Sequence, residues 1–248
     1  MVRKYKKKGR FLQNRGGKIR AVPFFAMEPG NKIETSPFMH SYKDQMKNHW
    51  AFCADVGSIP KNNFGWASSM DGEWETGADI GVFASSIADA IRREAKVSIG
   101  FECPLFVPVR DDPKKVASAR RGERQRSWSA GAGTGALTTG MVQSLWVMRR
   151  VKNILGYAPK PTFVWQEFEN TNSVFLWEAF VTSATEGITH IHDAEAALRR
   201  FLALAGSAEN VSAIDESSVM SLIGVCAIRA GWSKDIELIW KPCLVVQA

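Results

Sequence analysis

Residues 49–69, HWAFCADVGSIPKNNFGWASS, set the frame of the chain. Trp50–Val56 is apolar apart from Asp55, and a second apolar run from Phe64 follows a loop carrying Gly57, Pro60, Asn62 and Asn63. Two strand-like runs around a Gly/Pro/Asn loop predict a hairpin. Asp55 is the anomaly, because a carboxylate buried without partners costs several kcal/mol. Its place in a strand directs attention to other groups that need its charge.

Downstream, Met70-Asp71-Gly72 turns into a third strand, EWETGADI. In VFASSIADAIRREAK, Phe83, Ile87, Ala90, Ile91 and Ala95 recur at helical spacing. VSIGFECPLFVPV is a continuous β-like run stopped by prolines, the pattern of a central strand covered on both faces. A second helix carries Met141, Leu145, Met148 and Leu155. TFVWQEF and SVFLWEAFVTS read as strands. HDAEAALRRFLALAG reads as a helix with Ala194, Ala197, Leu198, Phe201 and Leu202 on one face. A final helix, ESSVMSLIGVCAIRAG, and a short strand, IELIW or CLVVQ, close the chain. Three consecutive strands followed by alternating strands and helices predict an α/β fold, a mixed sheet with helices on both faces. A doubly wound domain would alternate strictly. The expected layout is a basic arm over 1–20, a connector over 21–49, a core over 50–206, and a C-terminal helix and strand over 207–248 packed on that core.

Charge is unevenly spread over the 248 residues. The first twenty hold nine Lys or Arg and no acid; removing those nine from 32 leaves 23 bases against 25 acids, so the net +7 belongs to the arm. Lys6, Lys7, Lys8 and Arg10 suit a nucleic-acid backbone, which rewards each neutralised phosphate by counterion release; a solvated tail is the alternative. Cys53, Cys103, Cys226 and Cys243 show no paired spacing and sit in apolar runs, as reduced core thiols of a cytoplasmic protein do. No signal-peptide pattern is present in the basic arm. The charge-free run 127–148 is long enough to cross a bilayer, but its opening SWSAGAGTGALTTG is too rich in Gly, Ser and Thr for a span and reads as a loop feeding a helix.

The acids fall at matching places on this plan. Asp55 lies on the first strand, Glu102 in IGFECPLFVP, Glu178 in FLWEAFVTS, and Asp193 opens the helix after it. Carboxylates at similar heights on strands about 4.8 Å apart converge on one divalent cation, and oxygen ligands suit Mg²⁺ or Mn²⁺. Each acid also has a structural explanation: Asp193 as a helix cap, Glu178 as the partner of an arginine, Asp55 as an acceptor for its loop.

ADVGSIPKNNFGWASS, IGFECPLFVP and HDAEAALRRFLAL resemble, over 50–206, the ribonuclease H-like superfamily, in particular its RuvC-type branch and related predicted nucleases. The resemblance implies two-metal cleavage of phosphodiesters, with Asp55, Glu102 and Asp193 as metal ligands and Glu178 as a fourth ligand or a supporting partner. Asp215, in IDE, is the alternative third acid.

His190 and His192 flank Ile191 before Asp193; either could shuttle a proton, His192 being the better placed, with a capping or solvent role as the alternative. Arg120, Arg121, Arg124 and Arg126, with Lys61 in the hairpin loop, are phosphate-binding candidates. Trp128, among the arginines, could stack on a base or pack in the core. The expected function is a metal-dependent nuclease acting on DNA or RNA, with no membrane partner and a possible homodimer. Two alternatives remain: a non-catalytic nucleic-acid-binding module of the same fold, and an actin-like phosphotransferase, suggested by DVGS after a strand but requiring two facing domains.

Overall fold

Strand β1 (His49–Asp55) is buried along its whole length, as a central strand must be. The computed structural model that shows this describes residues 48–123, 127–181, 189–205 and 212–248. β1 pairs antiparallel with β2 (Gly65–Met70), closing the hairpin around a short 3-10 turn at Ile59–Lys61. β3 (Glu73–Gly77) follows after a tight turn in which Asp71 and Gly72 both take positive φ. On its other side β1 pairs parallel with β4 (Lys96–Glu102), and β4 pairs parallel with β7 (Val174–Phe180). Along the far edge of β7 lie β6 (Pro161–Thr162) and then β9 (Leu244–Gln247), both parallel to it. The sheet order is β3-β2-β1-β4-β7-β6, with β9 also on β7. The expected mixed α/β sheet is therefore present.

Helices cover both faces. On one, α1 (Ile80–Arg92), α2 (Ala132–Leu155) and α5 (Leu222–Ala230) enclose a core containing Phe52, Trp66, Phe83, Phe101, Met148, Leu176 and Ile223. On the other, α3 (Trp165–Asn170) and α4 (His190–Ala205) enclose a smaller one around Cys53, Phe175, Trp177, Leu198 and Phe201. Trp177 stacks on Phe201 at 4.3 Å with the rings within 5° of parallel. Local signals fix the helix ends. The Asp79 carboxylate accepts from the amides of Gly81 and Val82 at the start of α1, Ser221 caps α5, and Gly156 ends α2 in the left-handed region.

Several elements differ from expectation. The β-like run after α1 breaks after Glu102: Phe106–Pro108 forms β5, which leaves the main sheet to pair antiparallel with β8 (Val219–Ser221). TFVWQEF contributes only one strand residue, Thr162, which ends β6, before the chain turns into α3. Of the glycine-rich stretch, residues 127–131 do form a loop, but the helix begins earlier than expected, so that Gly133, Gly135 and Gly140 lie inside the 24-residue α2. IELIW is a 3-10 helix, and it is the last segment that forms a strand, inside the main sheet. The C-terminal residues thus complete the sheet beside β7. Among the described residues no helix is long and apolar enough to cross a membrane.

Candidate functional site

Asp55 and Glu102 are the last residues of β1 and β4, and in the parallel ladder they stand directly opposite each other. Laterally paired residues point to the same face, so the two carboxyl groups meet at the carboxyl ends of the two central strands. Asp55 is only 3% exposed. Its carboxylate is hydrogen-bonded to Glu102, and burial, together with the Asp55 charge, pushes the Glu102 carboxyl well above the usual range. Asp193 raises it further, while the Val181 amide, donating to Glu102, partly offsets the rise. Two acids this close retain a proton between them when no cation is present.

The third and fourth members come from α4. His190 opens the helix, and its Nδ1 lies 2.5 Å from Asp55 Oδ2. An ionised carboxylate only accepts, so the imidazole donates through Nδ1. Asp193 lies in the first turn of α4 rather than at its cap. Both residues line a cavity of about 330 Å³ with Asp55, Glu102 and Glu123. The opposite wall is the start of α2, where Ala132, Gly133, Gly135, Ala136 and Thr139 present small side chains. One turn further on, a β-carbon on Gly140 would stand 2.2 Å from Cys103 Sγ, so the missing side chain lets α2 approach the end of β4. Gln143 donates to the Gly57 carbonyl at 2.5 Å, tying α2 to the loop after Asp55.

Glu178 does not join this set. It pairs laterally with Phe101, one residue before Glu102, and therefore points to the opposite face of the sheet. There it is fully buried and held by Arg120, whose two terminal nitrogens donate to its oxygens at 2.8 and 2.6 Å, with the Leu105 amide donating at 2.9 Å. The same guanidinium donates through Nε to Glu123 at 2.8 Å and lies over the Phe106 ring. Arg120 is 2% exposed; burial opposes its charge, but Glu178 and Glu123 outweigh that cost and raise its pKa. Both residues are site candidates by sequence, and both are structural in the fold.

The remaining candidates divide. Asp215 pairs with Arg121 at 3.6 Å and lines a separate hollow with Phe163 and Trp165, so it is not the third acid of this cavity. Arg121 is turned to that side as well, donating through Nε to the Asp215 carbonyl and through its amide to Glu216. His192 is exposed and bonded through Nδ1 to Thr189 Oγ1; the histidine at Asp55 is His190. Lys61 is exposed at the end of the 3-10 turn and does not line the cavity. The Trp128 indole donates to the Ser118 carbonyl, which binds it into its loop. Arg124, Arg126, Lys6, Lys7, Lys8 and Arg10 lie outside the described residues. All four cysteines are buried, free thiols with raised pKa values, desolvation being the first cause in each.

Neither a family model, nor a curated protein, nor a solved structure matches this chain.

Acidic lining residues among those described are Asp55, Glu102, Glu123 and Asp193, with His190 and no Lys or Arg. Their carboxylate oxygens match a hard divalent ion in kind. Among the described residues, however, no three His, Cys, Asp or Glu side chains are arranged as a ready metal cage. Asp55 and Glu102 are instead hydrogen-bonded to each other.

Sequence reasoning names both histidines but ranks His192 first, whereas the one at Asp55 is His190. The available signal is spacing: His190 and Asp193, three apart, share one helix face, whereas His192 does not lie on it.

Proposed function

We propose that this chain is a divalent-cation-dependent nuclease of ribonuclease H-like fold, acting on phosphodiester bonds of DNA or RNA. One observation carries the reading: two hydrogen-bonded carboxylates, Asp55 and Glu102, end adjacent central parallel strands, with Asp193 and His190 added from a helix across the same cavity. The sheet order, with β1 between an antiparallel hairpin partner and a parallel neighbour, supports the fold assignment.

Asp55, Glu102 and Asp193 would hold Mg²⁺ or Mn²⁺, which supplies Lewis acidity at a phosphoryl oxygen and lowers the pKa of bound water. The chain's own contribution is orientation. His190 fixes the Asp55 carboxylate through Nδ1, and the Val181 amide holds Glu102. The small side chains at the start of α2 leave space beside the acids for a backbone segment. The basic arm would supply the attraction that the acidic cavity lacks, since a polyanion approaches such a surface only with cations to screen it.

A cleavage assay with Mg²⁺ or Mn²⁺ on single- and double-stranded DNA and RNA tests this. The reading requires cation-dependent cleavage that Asp55→Asn and Glu102→Gln each reduce by at least ~100-fold. Cleavage that survives both substitutions would overturn it. The lack of a ready cage among the described residues favours, as the second reading, a non-catalytic nucleic-acid-binding module. Binding without cleavage, unaltered by either substitution, would establish that instead.

A further inference from the structure

The two halves of the acid set are held in place differently. Asp55 and Glu102 are fixed by the main-chain ladder of adjacent strands, but His190 and Asp193 arrive on a helix that is packed against the sheet and is outside its ladder. Asp55 has Gly65 as its cross-strand partner in the hairpin. A β-carbon on Gly65 would stand 2.3 Å from the His190 carbonyl carbon and 2.3 Å from the Ile191 nitrogen. Those atoms are backbone, so no change of rotamer relieves the overlap. The first turn of α4 would have to withdraw by roughly 1 Å to regain ordinary van der Waals distance. Ala51, Cys53 and Ala67 on the sheet and Ala194 and Ala197 on α4 share the buried cluster beneath it. The seam is small on both sides, as close helix-on-sheet packing requires.

We propose that Gly65 is a positioning residue: its missing side chain seats the first turn of α4, delivering His190 to Asp55 and Asp193 to the acidic cavity. The inference rests on the reading of Asp55, Glu102 and Asp193 as the cation-holding set. It makes the helix-borne half of the site separable from the strand-borne half. A side chain at position 65 removes the contribution of α4 and leaves the Asp55–Glu102 pair standing.

The test uses the full chain as wild type, Gly65→Ala, Asp193→Asn and the double variant, with two readouts. The first is the imidazole NMR signature of His190 in cation-free protein, assigned with His190→Gln, which reports the Nδ1 bond to Asp55 without any metal. The second is Mn²⁺ affinity by electron paramagnetic resonance. Gly65→Ala is expected to abolish the Nδ1 signature and to weaken Mn²⁺ binding about 10-fold or more, as removal of an orienting partner does. Asp193→Asn should then add little in the Gly65→Ala background, because the group is already out of reach. A wild-type His190 signature in Gly65→Ala, or fully additive losses of affinity, would overturn the proposal. If wild type binds no Mn²⁺ but Gly65→Ala still loses the signature, the cation reading falls and the seating of α4 stands. Should Gly65→Ala not fold, Ala194→Val adds bulk to the same seam. An unchanged signature in folded Ala194→Val would equally overturn the proposal.

Discussion

At the scale of single residues, Glu102 bears an energetic cost that its surroundings do not remove. Burial and the neighbouring Asp55 keep its carboxyl protonated to higher pH in the folded chain than in the unfolded one. Between its ordinary value near 4.5 and that raised value the folded state holds the extra proton, so stability falls as pH rises through the window. Glu102→Gln removes this slope, and cation-free Glu102→Gln should melt a few degrees above wild type at neutral pH. An equal or lower melting temperature would contradict the assignment. His49 acts in the other direction: buried against Trp165, Phe168 and Phe201 and near Lys96, its pKa is lowered to about 4 from 6.5. It withdraws stability as pH falls from about 6.5 to about 4, so that slope persists in Glu102→Gln. Arg120 differs from both. Arg120→Met leaves Glu178 and Glu123 buried without their guanidinium, and should cost about 3–5 kcal/mol by chemical denaturation. A decrease under ~1 kcal/mol would show that the ion pair is not the lock between β7 and the loop before α2.

At the scale of elements, the strands and helices with clear periodicity were legible in the sequence. The hairpin, α1, β7 and α4 stand where apolar spacing puts them, and an anomalous acid in each of two central strands marked the site. The parity of Glu178 was not legible. Whether an acid in a strand faces the cavity or the opposite core depends on register with its neighbour, and register is set by pairing that one strand does not encode. Glu102 and Glu178 look alike in the sequence; a one-residue offset in the β4–β7 ladder sends one to the cavity and the other to Arg120. The glycine-rich start of α2 was hidden for a related reason. Its helix propensity is poor, and packing of Gly140 against Cys103 overrides it. The C-terminal strand carries a prediction of its own. β9 buries Val245 and Val246 beside β7, so deleting residues 244–248 should abolish cooperative unfolding in a thermal melt. A wild-type melting curve after deletion would mean that the sheet is complete without β9.

At the scale of the whole molecule, charge is divided between an acidic cavity and a basic arm. If the arm seats a nucleic-acid backbone, replacing Lys6, Lys7, Lys8 and Arg10 with Ala should weaken binding of unrelated sequences alike. It should also flatten the dependence of log affinity on log salt by about 0.9 for each duplex-DNA phosphate that the variant no longer neutralises. An unchanged salt slope would show that these four side chains neutralise no phosphates. The proposed cation site makes the stricter demand, because it requires two particular carboxylates, Asp55 and Glu102, to share one ion. Mn²⁺ titration of the full chain, followed by electron paramagnetic resonance, addresses that pairing directly. Wild type should bind Mn²⁺, while Asp55→Asn and Glu102→Gln should each weaken affinity at least ~10-fold and the double variant little more. Equal Mn²⁺ binding by wild type and both single variants would contradict it.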